Sequence, residues 1–155
     1  MKEHPDLKYI NGYDDPEIVA GAGTMGIEIL EQVPDCDAVF VPVGGAGLIA
    51  GVSLAMKTLK PNCLVVGVEP ENVPSFRMAL DAGMPVNGFK AGTLADGLAV
   101  PVVGPTAFNV ARRFVDDSVT VTEGQISIAV CMSYVAPASL LTISVITLSL
   151  LFFFF

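Results

Sequence analysis

The sequence predicts an α/β fold built on a parallel sheet, and three observations carry that prediction. The stretch 38–60 opens with a valine-rich apolar run, turns through Gly44, Gly45, Ala46 and Gly47, and continues with helical periodicity from Leu48 to Leu59. After Pro61 and Asn62 comes a second apolar run, CLVVGVE at 63–69. Two buried-strand patterns joined by a helix through short links make a right-handed βαβ unit, whose strands run parallel. The third observation is size, because 155 residues are enough for one core of ordinary dimensions and not for two.

The elements follow in order. Tyr9 and Ile10 suggest a short strand, ended by an Asn11–Gly12 turn. A helix starts next, with Asp15 as its cap, Pro16 in the first helical position and Glu17 in the first turn, where acid suits the positive end of the helix. Its apolar positions are Ile18, Val19, Ala22, Met25, Ile29 and Leu30, and it should end near Val33 and Pro34. It contains GAGTMG at 21–26, a literal GxGxxG. A dinucleotide fingerprint must leave a strand and open a helix. These glycines lie inside a helix already begun, so they read as close-packing positions. Beyond 63–69, a helix is expected at 75–82 with Gly83 as its C-terminal cap. A glycine- and proline-rich loop follows at 84–103, then a helix at 106–114 introduced by Gly104 and Pro105, and an alternating strand SVTVT at 118–122. Thr122 and Gln125 form a capping box that opens a further helix.

Composition narrows the function. A net charge of −8 argues against a nucleic-acid partner and reads as a soluble surface. Cys36, Cys63 and Cys131 form no CxxC pair and read as reduced thiols, which together with an N-terminus lacking signal-peptide character gives a cytoplasmic expectation. His4 is the sole histidine, so no zinc site is expected. From Ile126 to Phe155 no residue is charged, and 138–155 is apolar apart from serine and threonine. We therefore divide the chain into a domain at 1–125 and a divergent apolar tail at 126–155. Three readings fit the tail: a membrane anchor through 138–155, a buried helix, or a non-native end. The absence of flanking lysine or arginine disfavours the anchor, and the non-native end is preferred.

The strand, glycine turn and helix start at 38–60 form a phosphate-binding device, since turn N–H groups converge there on the positive end of a helix. Two chemistries and a ligand-free reading remain open on pattern alone. Gly45, Gly47 and Ala50 match GxGxxA, and Glu69 ends the next strand where a ribose-binding acid would stand, which fits a dinucleotide. A cofactor monophosphate needs the same glycines and no such acid. A tight strand-to-helix turn needs no ligand.

The order of landmarks resembles the fold type II pyridoxal-phosphate enzymes, within them the threonine/serine ammonia-lyase (dehydratase) and serine racemase group. The matching stretches are DDPEIVAGAGTMGIEILEQ at 14–32, VPVGGAGLIAGV at 41–52, MKTLKP at 56–61, VVGVEPE at 65–71, ALDAGMPV at 79–86, LADGLAV at 94–100 and FVDDSVTVTEGQI at 114–126. The resemblance implies a three-layer α/β fold with a parallel sheet, of which this chain is an incomplete large-domain portion. It implies pyridoxal 5'-phosphate as cofactor, its phosphate held by the backbone of Gly44, Gly45, Ala46, Gly47 and Leu48, with Gly97 of the Ala95-Asp96-Gly97 turn beside the ring. The family's usual glycine is replaced by Ala46, which is strained if that position needs a positive φ. Glu69 matches a carboxylate that binds a divalent cation in some relatives, but Ser75 stands where the second acid would be. One acid, a serine and a carbonyl make a poor Mg²⁺ site, so Mg²⁺ is not expected.

The family's Schiff-base lysine, in an S-x-K-x-R-G-like motif, has no counterpart among Lys2, Lys8, Lys57, Lys60 and Lys90. Lys57 and Lys60 read as snorkelling surface lysines. The S-S-G-N-like substrate loop and the serine or cysteine for the pyridine nitrogen are absent too. The resemblance thus implies part of an ammonia-lyase that converts L-threonine or L-serine to a 2-oxo acid and ammonia, inactive alone. Its partners would be an amino-acid substrate in the complete enzyme and further subunits in a homo- or hetero-oligomer. The alternatives are a non-catalytic regulatory or tail-anchored paralogue and, third, an NAD-binding domain.

Overall fold

The computed structural model describes residues 9–135. The order is α1 Pro16–Gln32, β1 Ala38–Pro42, α2 Gly47–Leu59, β2 Leu64–Pro70, α3 Ser75–Ala82, a 3-10 turn Asp96–Leu98, α4 Pro105–Ala111, β3 Asp117–Val121 and α5 Glu123–Val135. The three strands form one sheet in the order β1-β2-β3, parallel throughout, with Ala38 opposite Leu64 and Val66 opposite Asp117. This is the α/β architecture expected, with β1–α2–β2 as the predicted unit.

Local chemistry explains the element boundaries. Asp15 accepts a hydrogen bond from the Glu17 N–H at 3.0 Å, and Pro16 opens α1. Gly83, at φ 71°, closes α3 in the left-handed conformation. The capping box of α5 is reciprocal: the Thr122 N–H reaches Gln125 Oε1 at 2.8 Å, and the Gln125 N–H reaches Thr122 Oγ1 at 3.2 Å. The helix expected at 106–114 ends at Ala111 instead, because the Arg113 and Phe114 N–H groups bond the Val110 and Ala111 carbonyls and tighten the chain into a turn. Tyr9 and Ile10 form no strand. They are exposed, and the Asn11 side chain accepts from the Tyr13 and Asp14 N–H groups, turning the chain into α1.

One core joins Val39, Val41 and Val65 of the sheet to Ile49, Val52 and Met56 of α2, Val19 of α1, Phe76 of α3 and Phe108 of α4. Two glycines of GAGTMG, Gly23 and Gly26, sit on the α1–α2 contact, while Gly21 faces open space. A Cβ on Gly23 would lie 3.3 Å from the Gly51 carbonyl oxygen, and one on Gly26 would lie 3.0 Å from Ala55 Cβ. Gly51 is tighter still, 2.3 Å from the Val19 carbonyl oxygen. The motif is packing, as its position in the helix predicted.

A second apolar cluster, Ala95, Leu98 and Ile126, ties α5 to the 3-10 turn. The expected domain limit at 125 therefore falls inside α5, next to a core residue. The tail positions 136–155, the anchor reading of 138–155 included, lie outside the described residues. Among the described residues no helix is long and apolar enough to cross a membrane.

Candidate functional site

The loop between β1 and α2 is set up by its two flanking elements. The Val43 N–H bonds the Val68 carbonyl at 2.9 Å and holds the end of β1 on β2. Ala46 then takes φ 73° and ψ 0°, the one positive-φ residue other than glycine among those described, and α2 begins at Gly47. A left-handed residue followed by a right-handed one is a backbone pattern found in anion-binding nests. Among the described residues, none of the N–H groups of Gly44, Gly45, Ala46, Gly47 or Leu48 donates to a protein acceptor. Gly45, Ala46 and Gly47 are buried, yet their amides point at no carbonyl. Buried amides are nearly always satisfied, and these open ones stand at the positive end of α2, the kind of place where anions are commonly held.

The loop borders a cavity of about 270 Å³ lined by Gly12, Tyr13, Pro42, the residues 44–48, Gly97, Leu98 and Val100. The structure thus gathers all six of the expected cofactor-binding residues, Gly44, Gly45, Ala46, Gly47, Leu48 and Gly97, around one space. A Cβ on Gly44 would lie 3.2 Å from Val100 Cγ2 and 3.4 Å from the Gly97 carbonyl oxygen. No charged side chain lines the cavity. Binding of an anion would rest on backbone N–H groups and on the positive end of α2.

Two residues join the site without having been expected. The Tyr13 ring lies on the loop, where a Cβ on Gly45 would fall 2.2 Å from Tyr13 Cγ. Asp14 Oδ1 accepts from the Ala107 N–H at 2.8 Å, capping α4, whose own N-cap is Gly104. Since the Gly104 N–H bonds the Gly45 carbonyl at 3.0 Å, Asp14 also fixes the wall behind the loop. The adjacent pair Asp14 and Asp15 therefore starts two different helices.

Ser75 and Glu69 have structural duties near the cavity. The Ser75 hydroxyl contacts the Val100 and Pro101 carbonyls at 2.7 and 3.0 Å and holds the cavity-lining segment in place. Glu69 is fully buried and accepts from the Phe76 N–H at 2.7 Å, the Arg77 N–H at 2.8 Å and the Ser118 hydroxyl at 2.9 Å. It caps α3, whose N-cap residue Pro74 has no acceptor side chain. Burial pushes its carboxyl above the ordinary carboxylate value, against the lowering effect of those hydrogen bonds. It does not line the cavity. Among the described residues no group of three or more His, Cys, Asp or Glu is placed to hold a metal ion.

Lys57 is not a snorkelling surface lysine. Its Nζ donates to Asp116 at 2.7 and 2.9 Å and to the Cys63 carbonyl at 2.8 Å, while Asp116 also accepts from the Val65 N–H at 2.7 Å. The partner that makes it structural is distant in sequence. Lys60 Nζ reaches the Pro34 carbonyl at 2.6 Å.

Comparison with known proteins shows the family. Residues 1–135 match the family described as pyridoxal-phosphate dependent enzyme. The chain belongs to that family. This pyridoxal-phosphate family member is 41% identical over 130 residues to an L-threonine ammonia-lyase of Thermotoga maritima, covering 84% of this chain and 32% of that protein. Among solved structures it is similar to threonine deaminase isoform 2 of Solanum lycopersicum, with a TM-score of 0.82 and 42% identity over 86% of this chain and 39% of that one. It is also similar to maize serine racemase, with a TM-score of 0.81 and 33% identity over 86% of this chain and 40% of that one. The chain spans about a third of the length of the curated relatives it matches. The dinucleotide alternative is thereby set aside, and the geometry of Glu69 agrees, since its oxygens are engaged by α3 and β3 rather than facing the glycine loop.

Proposed function

We propose that this chain supplies the cofactor-phosphate site of a pyridoxal-phosphate dependent ammonia-lyase acting on L-threonine or L-serine. The observation that carries the reading is the set of unpartnered N–H groups at Gly44, Gly45, Ala46, Gly47 and Leu48, next to a cavity and at the start of α2. A dianionic phosphate would accept from these donors without needing a basic side chain. The turn at Gly97 and Leu98 would border the flat ring, and Tyr13 would exclude water from the back of the loop. When bound, pyridoxal phosphate supplies the electron sink for bond cleavage at the substrate α-carbon. The residues described here bind and orient that group. None of the lysines lines the cavity among the described residues: Lys57 and Lys60 are engaged elsewhere and Lys90 is exposed. No Mg²⁺ is expected at Glu69, whose oxygens already cap α3.

The purified chain incubated with pyridoxal phosphate and L-threonine is therefore expected to release no ammonia over multiple turnovers. Borohydride treatment is expected to leave no cofactor covalently attached to Lys57, Lys60 or Lys90. Sustained ammonia release, or stoichiometric labelling of one of those lysines, would show that the chain carries its own nucleophile.

A further inference from the structure

The end of the sheet opposite the glycine loop holds two thiols that the proposed function does not use. Cys36 precedes β1 and Cys63 precedes β2, and the Cys63 thiol points at Cys36 Sγ, 3.8 Å away. The backbone around them is tied together. The Leu64 N–H bonds the Asp37 carbonyl at 2.9 Å, and Lys60 Nζ crosses from one loop to the Pro34 carbonyl of the other. Each cysteine is also held locally, the Cys36 N–H by the Val33 carbonyl and the Cys63 N–H by the Lys60 carbonyl. Two side chains on a fixed frame have only their own rotamers to change. A disulfide bond of about 2.05 Å requires the sulfurs, now 3.8 Å apart, to approach by roughly 1.8 Å.

The two thiols differ in access. Cys36 is half-buried, and Cys63 is 1% exposed. We propose that Cys36 and Cys63 form a reversible disulfide in response to a hydroperoxide, with Cys36 as the thiol oxidised first and Cys63 as the resolving thiol. In the first step the Cys36 thiolate sulfur attacks a peroxide oxygen. The O–O bond breaks, an alcohol or water leaves with a proton, and a sulfenic acid remains on Cys36. In the second step the Cys63 sulfur attacks the Cys36 sulfur. The S–O bond breaks and water leaves, carrying the Cys63 proton. Two thiols lose two electrons in all, and the peroxide gains them.

The order of events agrees with the surroundings. Burial, followed by the hydrogen bond with Cys36, pushes the Cys63 thiol up to about 11, so it stays protonated at neutral pH and is a poor first nucleophile. The bridge would join the leads into β1 and β2 at the end of the sheet away from residues 44–48. It would therefore leave the glycine loop in place and lock the start of the β1–β2 pair. Cys131 is exposed on α5 and belongs to no such pair.

The test uses the full chain carrying Cys131→Ser, treated with hydrogen peroxide in native buffer and in urea, then alkylated and weighed. The expected native product is lighter by two hydrogens, yields a linked Cys36–Cys63 peptide, and returns to the starting mass with dithiothreitol. It should form about tenfold or more faster in native buffer than in urea, because the fold holds the thiols together. Cys36→Ser should abolish the product, and Cys63→Ser should leave Cys36 to accumulate added oxygen. Equal rates in the two solvents would overturn the proposal. So would oxygen addition at Cys36 with Cys63 left as a free thiol in the unsubstituted pair.

Discussion

Ala46 and Glu69 show how much single residues decide here. Ala46 holds a conformation that costs an L-residue about 1–2 kcal/mol, and the glycine turn depends on it. Replacing it by glycine relieves that strain but adds chain entropy to the unfolded state, worth about 0.5–1 kcal/mol. Ala46→Gly is thus expected to stabilise the chain by no more than about 1 kcal/mol, and a β-branched Ala46→Val to destabilise it by more than about 2 kcal/mol, read from urea unfolding midpoints. Glu69→Gln leaves a buried N–H of Phe76 or Arg77 without an acceptor, so a loss of about 1–3 kcal/mol is expected. The pH dependence has a definite sign. Burial raises the Glu69 carboxyl in the folded state, so its contribution is fullest below the ordinary value near 4.5 and falls as pH rises through the folded value. The stability gap between wild type and Glu69→Gln should therefore narrow from acid toward neutral pH.

At the scale of elements, the α1–α2 contact and the sheet edge behave differently from their sequence patterns. Gly21 faces open space in α1, whereas a Cβ on Gly51 would meet backbone from three residues of α1. Gly21→Ala is expected to gain about 0.5–1 kcal/mol, and Gly51→Ala to lose about 3 kcal/mol or more by forcing the helices apart. Calorimetry on the two variants separates packing from propensity. Lys57 and Asp116 tie the end of α2 to the lead into β3. Burial alone would raise Asp116, but hydrogen bonds from Lys57 and Val65 outweigh it and hold the carboxyl below its usual 3.8. Its stabilisation is present above pH about 3.8 and lost as pH falls through the lowered value. The group is about a third exposed, so Asp116→Asn should cost on the order of 1 kcal/mol at neutral pH and nothing in strong acid. Local signals made helix ends legible: Asp15 before Pro16 and the Thr122–Gln125 box as starts, and Gly83 as the stop of α3. Capping by distant carboxylates was not legible. Asp14 serves α4 and Glu69 serves α3, and neither helix has an acceptor at its own N-cap to announce the partner. Lys57 was misread for the same reason, since Asp116 is its neighbour only after folding.

Across the whole molecule, the candidate site is an assembly of backbone. Its loop residues were legible because a strand, a glycine turn and a helix start are contiguous in sequence. The cover formed by Tyr13, Leu98 and Val100 was not, because it comes from two separate segments brought in by α4 and by the Ser75 contacts. The sheet carries apolar Phe40, Leu64 and Val119 as exposed residues, and β1 and β3 are its outer strands among the described residues. These surfaces fit a chain that spans only part of its relatives' length. On the proposed function, loop 44–48 holds the cofactor phosphate through its backbone N–H groups. The most direct test is an amide-resolved NMR titration of the full chain with pyridoxal phosphate and with inorganic phosphate. The prediction is that both ligands shift the amides of Gly44, Gly45, Ala46, Gly47 and Leu48 in a saturable way, and that pyridoxal phosphate additionally shifts Gly97. Saturable shifts confined to other residues, with the 44–48 amides unmoved, would contradict it.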